Sequence, residues 1–171
     1  MTDQQGQSIL LFFQMSFLNP RLADQGSKQV YKSLMKQQNR AKEPGSFNFE
    51  QFFVRATHDV YHRMRKDLVN STGQISSAGV VQELSGIELS PWRDFVRSTS
   101  ADEILVLIWN HILKIPLPAI SKSLQTSEGT LNHRLGRAIK KLGSKLDSLT
   151  PKSRSTEEKE SKTRKARGEK K

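Results

Sequence analysis

The sequence predicts an all-α protein of two small helical domains joined by a flexible linker, the C-terminal one a helix-turn-helix bundle. Three observations carry this. Apolar residues recur at three- and four-residue spacing in several stretches, most clearly at Leu131, Leu135, Ala138, Leu142 and Leu146, which builds one buried stripe on a helix. The span Asn70 to Ser90 is rich in Ser, Gly, Asn and Thr, as a linker is. Only 35 % of the 171 residues are hydrophobic, which favours two small cores over one large one. The expected division is a helical domain over 1–70, a linker over 71–97, a helix-turn-helix domain over 98–148 and a basic tail over 149–171.

Residues 8–18, SILLFFQMSFL, form the one strongly apolar run. It is shorter than the roughly 20 residues that span a bilayer and lacks a basic leader and a small-residue cleavage site. It reads as a buried helix, with no export signal and no membrane partner. Asn19-Pro20 breaks that helix, and Leu22 to Gln37 reads as a second, with Val30, Tyr31, Leu34 and Met35 on its apolar face and Gly26 an unfavourable residue near its start. After the polar stretch Gln38 to Ser46, a third helix is expected from about Asn48 to Leu68. Phe49, Phe52, Phe53, Ala56, Val60 and Met64 make its stripe, and Arg55, Arg63, Arg65 and Lys66 lie on its flanks or end.

That aromatic and basic helix suits single-stranded DNA, because exposed rings stack on bases while cations follow the backbone. Most of the phenylalanines, at helical spacing, belong to the core. Tyr61 and one phenylalanine remain for stacking, with Arg55, Arg63, Arg65 and Lys66 for phosphates. His58 and His62 stand at i and i+4, a zinc-chelating spacing. Asp59 replaces the glutamate of the metalloprotease pattern and no third ligand is evident, so surface or phosphate-facing histidines are expected, and no metal or other cofactor.

In the linker, Gly79 to Leu84 reads as a brief helical turn, and Pro91 to Phe95 is expected to pack on the domain that follows. Ser100 should cap a helix reaching Leu113, with Ala101, Asp102 and Glu103 in its first turn and Trp109 and His111 as packing residues. Pro116 and Pro118 end it and open the next. Pro118 to Leu146 then reads as two helices meeting at the turn Leu124-Gln125-Thr126-Ser127, with Ser127 as N-cap of the second and Glu128 in its first turn, where the helix dipole favours an acid. Arg134, Arg137 and Lys141 repeat beside the leucine stripe, on a side read as unburied. Such a second helix is able to enter the major groove of DNA. From Thr150 the chain carries nine Lys and Arg against four Glu, a net of +5, and almost no apolar residue. It is expected to be disordered, as an arm on phosphates or a solubilising tail.

The net charge of +11 and pI of about 10.1 point to a polyanionic partner. The absence of cysteine excludes disulfides and thiol nucleophiles and fits a reducing cytosol. No nucleophile–base set, phosphate-cradling glycine loop or carboxylate cluster suggests an enzyme.

Lys114 to Leu142 resembles the promoter-reading region 4 of sigma-70-family transcription initiation factors, chiefly the extracytoplasmic-function group. Ile120 matches the scaffold-helix isoleucine, Leu124 precedes the turn, and Ser127-Glu128-Gly129-Thr130-Leu131 opens the recognition helix. Arg134-Leu135, Arg137-Ala138 and Lys140-Lys141-Leu142 follow without a gap. Ser121 and Gln125 depart from the family's alanine and glycine, and a non-glycine residue at positive φ costs roughly 1 kcal/mol. The N-terminal half is more faintly similar to region 2, in Asn19-Pro20, Ala23-Asp24, Phe52-Phe53, Ala56 and Arg63-Met64-Arg65. The family's polymerase-gripping acidic patch falls on Asp24 to Gln29, which has lost most of its acid, and the opening helix is shortened or missing.

The resemblance implies a cytoplasmic, sigma-factor-like DNA-binding protein that directs transcription initiation. It would meet double-stranded DNA through Ser127, Thr130, Asn132, His133, Arg134, Arg137, Lys140, Lys141 and Lys145, with RNA polymerase core and an anti-sigma factor as protein partners. Two alternatives stay open: a sigma-derived regulator that does not recruit polymerase, and a decoy that occupies an anti-sigma factor.

Overall fold

The computed structural model describes residues 3–40, 47–70 and 89–147. All of its regular structure is helical: α1 (Asp3–Phe17), α2 (Pro20–Arg40), α3 (Phe49–Asn70), α4 (Ser90–Ser98), α5 (Ala101–Leu107) running into a π-helical turn (Ile108–Ile112), α6 (Leu117–Leu124) and α7 (Glu128–Asp147). The helical turn expected at 79–84 and the basic tail lie outside the described residues. Among the described residues no helix is long and apolar enough to cross a membrane.

The apolar run 8–18 is the inner face of α1, where Ile9, Phe12, Phe13 and Phe17 are buried. Leu18, at φ 51°, turns the chain, and the Asn19 side chain accepts from the backbone N–H of Arg21 and Leu22 at 3.0 and 3.2 Å, capping α2 behind Pro20. Gly26, the weak point of the expected second helix, lies against Phe13 of α1. A Cβ there would lie 2.7 Å from Phe13 Cδ1, so only glycine lets the two helices approach this far. On α2, Val30 and Leu34 are buried as expected, while Tyr31 and Met35, one step further round, are exposed.

Asn48 caps α3 by accepting from the N–H of Gln51 at 3.0 Å. Phe53, Val60 and Met64 from the expected stripe are buried, and so are Val54, Thr57 and Tyr61 on a second face. A single stripe does not describe this helix, because α3 is covered by α1 and α2 on one side and by α6 on the other.

The two halves share one buried core. Trp109, in the π-helical turn, stacks on Phe12 at 5.9 Å between centroids, and its indole N–H donates to Thr57 Oγ1 on α3 at 3.1 Å. Trp92, in α4, donates to the Met15 carbonyl of α1 at 2.9 Å. Helix α4 lies in the span expected as linker and packs, as anticipated for Pro91 to Phe95, on the C-terminal helices, chiefly α7. The helix expected to reach Leu113 is α-helical only to Leu107. The Leu113 N–H then reaches back to the Ile108 carbonyl at 2.9 Å, and Lys114 at φ 59° ends the run. Ser100 occupies the N-cap position without a side-chain capping bond. Trp109 is a packing residue, as expected; His111 is exposed.

Candidate nucleic-acid interface

Helices α6 and α7 meet at the expected turn. Gln125 takes the left-handed conformation, φ 53° and ψ 38°, that glycine would reach without strain. Ser121, the other departure from the resembled pattern, stitches this corner: its hydroxyl donates to the Thr126 carbonyl at 2.6 Å, and its own carbonyl accepts from the N–H of Gln125 and Thr126. Ser127 Oγ accepts from the Thr130 N–H at 3.2 Å and lies 2.9 Å from the Thr130 hydroxyl, so the cap forms. Leu131, Leu135 and Ala138 are buried, Leu142 is half-buried, and Leu146 is 51 % exposed, so the stripe ends a turn early.

The basic residues of α7 divide in a way periodicity does not show. Arg134 Nη2 meets Asp102 Oδ2 at 2.9 Å, Arg137 Nε meets Glu103 Oε1 at 2.8 Å, and Lys141 Nζ meets Glu103 Oε2 at 2.6 Å. Both acids lie in the first turn of α5, against which α7 packs. The side read as unburied is therefore an ion-paired seam. Arg134 is half-buried at 28 % exposure, whereas Arg137 remains 53 % exposed and uses only Nε in its pair. Glu103 is buried. Burial pushes its carboxyl up, but the bonds from Lys141 and Ser100 and the charge of Arg137 outweigh this and hold it below its ordinary 4.5.

The fully outward face of α7 carries Thr130, Asn132, His133, Gly136 and Lys140, with Ser127 at its start. Lys145 is half-buried in the last turn. Of the expected duplex-facing residues, Arg134 and Lys141 thus also hold α7 on α5, at 28 % and 44 % side-chain exposure.

On α3 the expected single-strand residues separate too. Arg55 and Arg63 line an open cleft of about 540 Å³ between α2, α3 and α6. Lys122 of α6 joins them there, as do Phe52 and Phe47, whose rings are 5.5 Å apart. Asp59 is the acid on the same wall. Tyr61 is not available for stacking on a base. Its ring is buried 5.1 Å from that of Phe17 because α3 is covered on two sides, and burial, against the opposing effect of Arg65, raises its hydroxyl above the ordinary range. Arg65 donates to the Tyr61 hydroxyl at 3.0 Å and packs 5.9 Å from its ring centroid, while Lys66 is exposed. Lys122 escaped the sequence reading because nothing along the chain places a scaffold-helix lysine beside Arg55 and Arg63, some sixty residues upstream.

His58 and His62 turn toward Asp102, so α3 and α5 gather two imidazoles and a carboxylate whose ligand atoms all lie within 4.8 Å of one another. Burial first, and then the neighbouring His58, hold the His62 imidazole below its ordinary value and favour its neutral form.

In sequence the chain matches no protein-family model and no curated protein. Its fold does have a solved counterpart. It is similar to the sigma factor RpoE from Bartonella quintana, solved in complex with the anti-sigma factor NepR. The TM-score is 0.69 at 16 % identity, over 86 % of this chain and 94 % of that one. At that identity the likeness is one of fold: the protein has a sigma-factor-like, all-α architecture.

Proposed function

We propose that this protein is a sigma-factor-like DNA-binding protein that directs transcription initiation in the cytoplasm, acts without catalysis of its own, and reads a promoter element with the outer face of α7. One observation carries the reading: behind a capped, tightly turned start, α7 presents Thr130, Asn132, His133, Arg137 and Lys140 to solvent on one side of a helix whose other side is held by α4 and α5. A recognition helix needs that division, with a rigid inner face and an outer face of hydrogen-bonding and cationic side chains. The net charge of +11 supports it by favouring a phosphate polyanion. The sigma-factor-like fold supports RNA polymerase core as a partner, and the neighbour's state, bound to an anti-sigma factor, supports such a partner here.

In vitro transcription with core polymerase over a library of promoter fragments tests this directly. Enrichment of one upstream sequence, lost on Arg137→Ala, is the expected result; core polymerase alone performing equally well would refute it. A second reading, the regulator that does not recruit polymerase or the anti-sigma decoy, is favoured by α2. Its remaining acid in the expected polymerase patch, Asp24, is paired with Lys28 at 2.7 Å. Failure to pull down core polymerase alongside retained promoter binding would select the regulator, and loss of both the decoy.

A further inference from the structure

We infer that His58 and His62 of α3 and Asp102 of α5 form a site for one zinc-class divalent cation, which ties the N-terminal half of the protein to the C-terminal half. His58 and His62 are one helical turn apart with ring centroids 4.4 Å from each other, so both imidazoles reach one point in space. A third ligand comes from a residue forty positions further along the chain: Asp102 Oδ1 lies 3.5 Å from His62 Nε2. That is long for a hydrogen bond and close to the edge of a tetrahedron around an ion with ligands at about 2.0–2.2 Å.

Three further features fit a metal better than a simple polar contact. His62 Nε2 is sealed from solvent and, among the described residues, has no partner nearer than the long Asp102 Oδ1 contact, leaving a buried nitrogen whose lone pair or proton is poorly satisfied. His58 meets Asp59 Oδ1 through Nδ1 at 3.2 Å, the kind of outer carboxylate that orients a ligand imidazole whose other nitrogen takes the metal. A cavity of about 210 Å³ opens beside the cluster, walled by His58, Asp102, Trp109 and Arg134 among others, with room for a water in the fourth position. Arg134 occupies Oδ2 of Asp102 and leaves Oδ1 facing the histidines, so the carboxylate serves guanidinium and ion with different atoms.

The site joins elements that the sequence places in different domains, so its occupancy is predicted to stabilise their packing. The test is titration of the full chain with Co²⁺ as a spectroscopic stand-in, then displacement by Zn²⁺, followed by thermal unfolding with and without Zn²⁺. The expected result is one saturable tetrahedral Co²⁺ spectrum per chain and a rise in Tm with Zn²⁺. His58→Gln and His62→Gln, each still helical by circular dichroism, should lose both; Asp59→Asn should weaken binding roughly 10- to 100-fold. Absence of a saturable spectrum in the parent would overturn the inference. So would undiminished Co²⁺ affinity in both histidine variants, and so would binding transferred to His111 or His133, judged by its loss in His111→Gln or His133→Gln.

Discussion

Helices α3 and α7 both carry a row of cations beside an apolar stripe, and the structure uses the two rows for opposite purposes. On α3, Arg55 and Arg63 look into an open cleft together with Lys122. On α7, Arg134, Arg137 and Lys141 are drawn to Asp102 and Glu103 on the helix they pack against. Both helices set their cations beside a buried stripe, so the difference does not lie in the basic helices themselves. It lies in whether the neighbouring helix begins with acids. Asp102 and Glu103 suit the first turn of α5 because the helix dipole stabilises negative charge there, and the same placement makes them the natural counterions for whatever helix crosses that end.

Removing the counterion tests the contrast most severely. Glu103→Ala takes away a buried carboxylate that accepts from two cations, and should cost about 2 kcal/mol in urea unfolding, within the range for hydrogen bonds to charged groups. Unchanged stability would mean that α7 is held by its leucines alone. The same carboxylate predicts a pH dependence. Its folded pKa lies below 4.5, so its contribution is fully present above that value and fades as the pH falls through the folded value. Glu103→Gln should flatten the acid limb of the stability curve measured between pH 5 and pH 2.

Smaller effects separate holding from reading on α7. Arg134→Ala should lower stability by about 1 kcal/mol, as a half-exposed pair does, and leave DNA affinity at a given salt nearly unchanged. Lys140→Ala should do the reverse: fluorescence anisotropy should show weaker binding to all duplexes and a salt slope reduced by about 1. Equal loss of affinity from both would erase the distinction. Smallest of all, Arg55→Ala and Arg63→Ala should change stability by no more than about 0.5 kcal/mol, because both are exposed and neither is ion-paired among the described residues.

Local features were largely legible in the sequence, and features that need a second element were not. Ser127 as a cap and the break at Asn19-Pro20 follow from interactions within a few residues, the left-handed turn at Gln125 is what the family resemblance implies, and all three stand in the structure. What Ser121 does for that turn was hidden, because its hydroxyl bond reaches five residues ahead and depends on the bend it stabilises. Gly26 looked like a weakness in a helix and is a point of close approach, visible only once Phe13 stands against it. A single buried stripe leaves Tyr61 on the surface, whereas α3 has two buried faces and Tyr61 lies on the second. Of the candidate site, Thr130, Asn132, His133 and Lys140 entered through the family resemblance, and all four are exposed. The retention of Arg134 and Lys141 by α5 was not, since it depends on a crossing between helices that no linear spacing encodes.

The chain contains two tryptophans, and both indole N–H groups bond across the boundary between the N-terminal helices and those that follow. Any excursion that parts the halves must hydrate both rings at once, shifting their emission to longer wavelength. The protein therefore carries an intrinsic optical gauge of any parting of its halves, readable without a label as denaturant or zinc is added.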